Sequence, residues 1–219
     1  MINKYWANLP DYLNGAKSDI LCMIDTSGSM GGRPINVAIS LGLYCAERNK
    51  GAFANHYISF ASRPKLIKTD GFDFVDKVDR IYQTNLCDNT NLEAAFNLLL
   101  NMVANGRAKA EDLPSTIVVI SDMQIDYATD NYSWKDGNAA QTEMEKIKAK
   151  WARFGLKCPK LIYWNVDARG DANIIDQGPD VSFVSVLSPV IFKSVLTGKT
   201  GKNLMLDTLN SERYKAVTL

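Results

Sequence analysis

The sequence predicts an α/β fold, a mostly parallel sheet with helices on both faces. Three observations carry that prediction. Short apolar runs alternate with amphipathic helical patterns along the chain, the signature of a sheet covered on two sides. Hydrophobic residues make up 46% of the 219 residues, enough for a sizeable core. No internal repeat, low-complexity tract or linker interrupts the alternation, so a single domain is expected.

Asp19 to Ile24 (DILCMI) reads as a buried strand that runs into a Gly/Ser-rich loop, TSGSMGGR. Pro34 suits a first helical turn, and the apolar stretch from Ile35 to Ala46 continues as a helix. Ala54 to Phe60 reads as a strand and Lys65 to Lys68 as its short return partner. The SRP between them is a turn, so this pair is expected to be antiparallel. Phe72 to Ile81 repeats at helical period, and Leu92, Ala95, Phe96, Leu99, Met102 and Val103 mark another helix. Thr116 to Ile120 (TIVVI) is the strongest strand, followed by a long polar stretch from Asp126 to Gly137. Met144, Ile147, Trp151 and Phe154 then outline the buried face of a helix. Leu161 to Val166 and Val181 to Leu187 read as the last two strands, with Ser188 and Pro189 opening a helix through Leu196.

Twenty-five Lys and Arg against 24 Asp and Glu leave a net charge of +1. That balance argues against a general nucleic-acid glue, which needs a cationic surplus. The N-terminal stretch MINKYWANLPDYLNG has no apolar run fit for a signal peptide, and no segment approaches the roughly 20 apolar residues of a membrane span. Cys22, Cys45, Cys87 and Cys158 lie far apart with no C-x-x-C spacing, and His56 is the only histidine. Zinc ligation and a disulfide framework are therefore disfavoured; buried, reduced thiols in a cytoplasmic protein are expected.

In an open α/β sheet, ligands bind at the carboxyl ends of strands, near the point where strand order reverses. The first loop there reads Asp25-Thr26-Ser27-Gly28-Ser29-Met30, and the TIVVI strand ends in Ser121-Asp122. Asp88-Asn89-Thr90-Asn91 precedes the Leu92 helix. Carboxylates and hydroxyls without sulfur or imidazole make a hard oxygen site suited to magnesium, manganese or calcium. Singly, each residue has a structural explanation. Asp and Ser after a strand often cap the next helix, and Thr90 with Glu93 matches a capping box. Capping does not ask for the whole combination.

Asp25-x-Ser27-x-Ser29, Thr90 and Asp122 resemble the metal-ion-dependent adhesion site of von Willebrand factor A (vWA) domains. The resemblance runs over roughly residues 17 to 197, with 1–16 as a lead-in segment and 198–219 as a C-terminal helix or tail. LCMIDTSGSM, TNLEAAF, VVISDMQID and LIYWN are similar to one branch, the C-terminal vWA-like domain of a family related to Ro (TROVE) ribonucleoproteins. There a helical module precedes the domain. None does here, which fits either an excised domain or a protein with only that half.

The resemblance implies a three-layer, Rossmann-like sheet of about six strands with one antiparallel edge strand. It implies a divalent ion, Mg²⁺ or else Mn²⁺ or Ca²⁺, held by the hydroxyls of Ser27, Ser29 and Thr90. Asp25 and Asp122 would contribute directly or through water. It further implies an open coordination position that takes a carboxylate from a partner protein, as expected of a magnesium site whose protein shell is incomplete. Met30, Asp88, Met123, Asp126 and Tyr127 are the candidate rim residues for that partner. Met123 departs from the common pattern, in which glycine follows the second aspartate, and so changes the rim. Tyr132 and Trp134 lie in the same polar stretch and either join the rim or tack the loop down.

Two other functional classes have features in the sequence. Residues 146 to 160 hold Lys146, Lys148, Lys150, Arg153, Lys157 and Lys160 with no acid among them. Lys146, Lys150 and Arg153 share a helical face opposite Ile147 and Trp151. That face is either plainly solvated or an RNA-contact patch in a Ro-like ribonucleoprotein. For enzymes, an aspartyl-phosphate mechanism needs an aspartate where Ser27 stands, and Gly198-Lys199-Thr200 lacks the earlier glycine of a phosphate loop. Metal-dependent phosphoester hydrolysis survives only without an evident general base, so a binding module is expected, not an enzyme.

Overall fold

The computed structural model describes residues 1–13, 20–83, 91–122, 138–167, 173–176, 180–185 and 201–212. In chain order the strands are β1 (Ile20–Asp25), β2 (His56–Phe60), β3 (Leu66–Lys68), β4 (Thr116–Ser121), β5 (Lys160–Asn165), β6 (Asn173–Asp176) and β7 (Val181–Ser185). The helices are α1 (Ile2–Ala7), α2 (Arg33–Arg48), α3 (Phe74–Gln83), α4 (Leu92–Ala104), α5 (Asn138–Arg153) and α6 (Gly201–Leu209).

The strands form one sheet in the order β3-β2-β1-β4-β5-β7-β6. β2, β1, β4, β5 and β7 run parallel, while β3 and β6 run antiparallel to their neighbours. The predicted α/β fold is thus the one observed, with seven strands instead of about six and an antiparallel strand at each edge. The extra strand, β6, is NIID, four residues long and too short to show a periodicity.

β1 and β4 are buried along their whole length because both sheet faces are covered. Alternation then sorts their side chains. Ile20, Cys22 and Ile24 join a cluster with Ile35, Ile39 and Leu43 of α2. Leu21 and Met23 join the opposite cluster, with Phe96 and Leu99 of α4 and Ile147 and Trp151 of α5. Gly42 lets α2 lie close on β1: a Cβ there would sit 2.3 Å from Ile24 Cδ1.

Residues 1–13 of the lead-in segment pack on the body of the domain. Trp6 of α1 stacks on Phe74, ring centroids 4.0 Å apart, and its Nε1 donates to Glu47 at 2.7 Å. Glu47 also pairs with Lys77 at 2.7 Å. Phe154, predicted to lie on the buried face of α5, is 57% exposed. The helix ends at Arg153 and Gly155 turns the chain at φ +68°, so the helical period no longer applies. The expected helix from Ser188 to Leu196 lies outside the described residues. Among the described residues no helix is long and apolar enough to cross a membrane.

Candidate functional site at the carboxyl ends of β1 and β4

Strand order reverses between β1 and β4, since β2 follows on one side and β5 on the other. This is the switch point at which open α/β sheets bind ligands. β1 delivers Asp25 there, and the residue after β4 is Asp122. Both are buried, Asp25 to 1% exposure and Asp122 to 7%.

Each Asp25 oxygen accepts a hydrogen bond. Ser27 N–H donates to Oδ1 at 2.9 Å, and the Ser121 hydroxyl donates to Oδ2 at 2.6 Å. Burial pushes the Asp25 carboxyl above its ordinary range. The two serine donors oppose the rise, and the nearby Asp122 charge adds to it. Two buried carboxylates at one strand switch thus form a pocket of negative potential that a cation would relieve.

The loop after β1 supplies hydroxyls. Residues Gly28–Met30 form one 3₁₀ turn, which brings Ser27 Oγ within 3.1 Å of Ser29 Oγ. Neither serine is used as a helix cap. Ser27 makes no side-chain cap bond, and α2 is entered through Gly32, at φ +89°, again without one. Asn91 caps α4: its Oδ1 accepts from Ala94 N–H at 2.8 Å. Glu93, the expected capping-box partner, instead accepts from Asn97 and Lys150. The capping explanation for Ser27 is thereby removed, while Thr90 itself lies outside the described residues. Asparagine is among the preferred N-cap residues.

Among the described residues no three His, Cys, Asp or Glu side chains gather as a metal-binding group. The donor set at the switch point is accordingly hydroxyl-rich, with two carboxylates, and fits a hard dication better than a soft one. Thr90, Asp88, Met123, Asp126 and Tyr127 lie outside the described residues.

Met30 corrects the expectation of a rim residue. It is 0% exposed and belongs to the α2-side core, where its sulfur accepts the Asp122 N–H at 3.0 Å. A flexible thioether fills the space beneath the loop and ties it to the end of β4. Ser121 is the residue that sequence reasoning missed. Its role follows from the β1–β4 register, in which Ile24 faces Ile120, so the next residues, Asp25 and Ser121, fall side by side.

On α5, Ile147 and Trp151 are buried and Lys146 and Arg153 exposed, as the helical period predicts. The basic stretch is not unopposed, however. Lys150 pairs with Glu93 at 3.2 Å, and Lys148 pairs with Asp180 at 2.5 Å.

The family described as a domain of unknown function (DUF7788) matches residues 19–215. This chain belongs to that family. A family-scale relative is Uncharacterized protein L728 of Acanthamoeba polyphaga mimivirus, 27% identical over 153 residues, covering 70% of this chain and 26% of that protein. Among solved structures, the Ro (RSR) protein of Deinococcus radiodurans matches with a TM-score of 0.54 at 15% identity, over 89% of this chain and 36% of that one. At that identity the likeness concerns the fold alone. The DUF7788 chain thus spans about a quarter of the viral protein and about a third of the Ro protein.

Proposed function

We propose that this chain is a Ro-like, RNA-associated binding module and not an enzyme. The observation that carries the reading is the fold it shares with the Ro protein over 89% of its length. Native affinity purification followed by nuclease treatment and sequencing tests it. RNA recovered well above the level of an unrelated α/β protein is expected; recovery at that background level would overturn the reading.

A second proposal, favoured by the local geometry, concerns how the module meets a protein partner. Asp25, Ser27, Ser29, Thr90 and Asp122 would hold Mg²⁺ or Mn²⁺. The ion would leave a position for an acidic oxygen, a carboxylate of the partner. What supports this is the loop itself: two serine hydroxyls 3.1 Å apart beside two buried carboxylates, with neither serine engaged in capping. A ligand at one hundred times its dissociation constant stabilises by about 2.7 kcal/mol. In a chain of this size that corresponds to a rise of roughly 5–10 °C in melting temperature. The rise should vanish in Ser27→Ala/Ser29→Ala, whose metal-free melting should stay near wild type. An equal metal response in both proteins would sink the cation site without touching the RNA reading.

A further inference from the structure

The end of the sheet opposite the cation site carries a charge pattern that the function above does not use. α4 and α5 pack side by side on one face of the sheet and run down to the amino ends of β4 and β5. Both stop the same way. Gly106 and Gly155 each adopt φ +68°, and the next residue's N–H returns to the carbonyl five residues back, Arg107 to Met102 and Leu156 to Trp151. These paired glycine turns set the two helix–strand loops next to each other. The loops meet where Lys160 N–H donates to Ser115 O at 2.9 Å and Lys160 faces Thr116 in the register.

Arg107, Arg153, Lys157 and Lys160 are exposed on this edge, and among the described residues none of them is in an ion pair. The described acids nearby have contacts of their own. Asp180 holds Lys148, Glu111 meets Lys109, and Asp112 accepts the Lys109 N–H. Favourable interaction with a helix C-terminus accounts for Arg153. It does not account for Lys157 and Lys160 beyond the helix, nor for Phe154, an aromatic ring 57% exposed in their midst. Exposed cations around an exposed aromatic are what a single-stranded nucleic acid needs: charge for the phosphates and a platform for a base.

We propose that this edge, formed by Arg107, Arg153, Phe154, Lys157 and Lys160, is a contact surface for single-stranded RNA, with Phe154 stacking on a base. The assignment rests on the RNA-associated reading and gives it a place on the molecule. β1 and β4 are six residues long, so the edge lies roughly 20 Å from the cation site and can act independently of it.

Fluorescence anisotropy of a labelled oligouridine against the full chain tests the proposal, over a salt series with EDTA present. Up to four neutralised phosphates give a slope of log affinity against log salt of about −2 to −3. Arg153→Glu/Lys157→Glu/Lys160→Glu should weaken binding at least tenfold and flatten that slope. Phe154→Ala should weaken it roughly five- to a hundredfold with the slope unchanged. Lys146→Glu/Lys150→Glu should leave binding near wild type, because Lys150 is already occupied by Glu93. All substituted positions are surface ones, and thermal melts check that each variant folds. Wild type that binds no oligouridine at 50 mM salt, a condition more favourable to phosphate contacts than physiological salt, removes both the RNA reading and this surface. Binding that survives the triple reversal removes the surface alone. If polyglutamate competes as well as RNA and Phe154→Ala has no effect, the edge takes acidic protein and the RNA assignment is wrong.

Discussion

Gly42→Ala tests how tightly α2 seats the strand that carries Asp25. The new methyl would lie 2.3 Å from Ile24 Cδ1 and 2.6 Å from Cγ1. Ile24 is fully buried among Met30, Ile35, Ile39 and Leu43, so its side chain has no empty space to swing into. Overpacking of this kind costs about 1–3 kcal/mol. Against it stands the helix preference of alanine over glycine, about 0.8–1 kcal/mol. The net is a destabilisation of roughly 1 kcal/mol, or about 2–4 °C in melting temperature. Ile24→Val removes the nearer atom and alone should cost about 0.5–1.5 kcal/mol. In the Gly42→Ala background the same change should cost less or even stabilise. Urea denaturation of the four proteins in a double-mutant cycle measures the difference, expected at about 1 kcal/mol. If Gly42→Ala raises stability and the two changes add, the close seating of α2 on β1 is refuted.

Three further outcomes are expected. Asn91→Ala should cost about 1 kcal/mol through loss of the α4 cap while leaving any Mg²⁺-induced shift intact; Thr90→Ala should do the reverse, and equal melting shifts for both would contradict the division of labour. Burial pushes the Cys158 thiol up to about 12, so at pH 8.5 native Cys158 should react with iodoacetamide roughly a thousandfold more slowly than in urea, as peptide mapping would show. The same raised value means that stability falls as pH climbs from about 9, where the unfolded thiol ionises, and levels off only past the folded value of about 12. Glu93 is held below the usual carboxylate range, by Lys150 first and Asn97 second. Its coupling to Lys150 should be under about 1 kcal/mol because both side chains are about half exposed, present above about pH 4.3, lost as pH falls through the lowered value, and halved or more by 1 M salt.

What was legible in the sequence was whatever one element encodes by itself. β1 and β4 announce themselves as unbroken apolar runs because both their faces are covered, and Asp25, Ser27, Ser29 and Asp122 follow by spacing from them. What was not legible depends on pairing between distant segments. Ser121 became a donor to Asp25 only through the β1–β4 register, 96 residues apart. Met30 looked exposed because loops usually are, yet its sulfur fills a gap beneath the loop that only the end of β4 creates. The six residues of α1 hold too little pattern to predict; Trp6 fixes them through Phe74 and Glu47. The Lys146-to-Lys160 stretch read as uniformly basic because Glu93 and Asp180, which quench its middle, are far away in sequence.

That quenching bears on how a chain with a net charge of +1 would serve the two acidic partners proposed for it. A surplus spread evenly would bind neither well, since exposed charges interact weakly beyond about 10 Å at 0.1 M salt. Here the parallel strands separate the two signs. Carboxylates and hydroxyls sit where the strands end, and cations without an ion pair among the described residues sit where β4 and β5 begin. At a spacing of roughly 20 Å, twice the screening length, neither end cancels the other. A dication at one end would present a positive centre to a partner's carboxylate, while the other end is positive without any ion. The two contacts therefore differ in their controls: the first should respond to EDTA and hardly to moderate salt, the second to salt and not to EDTA. A single titration of each agent against both ligands would expose any coupling between the ends, and strong coupling would contradict the separation argued from the sheet.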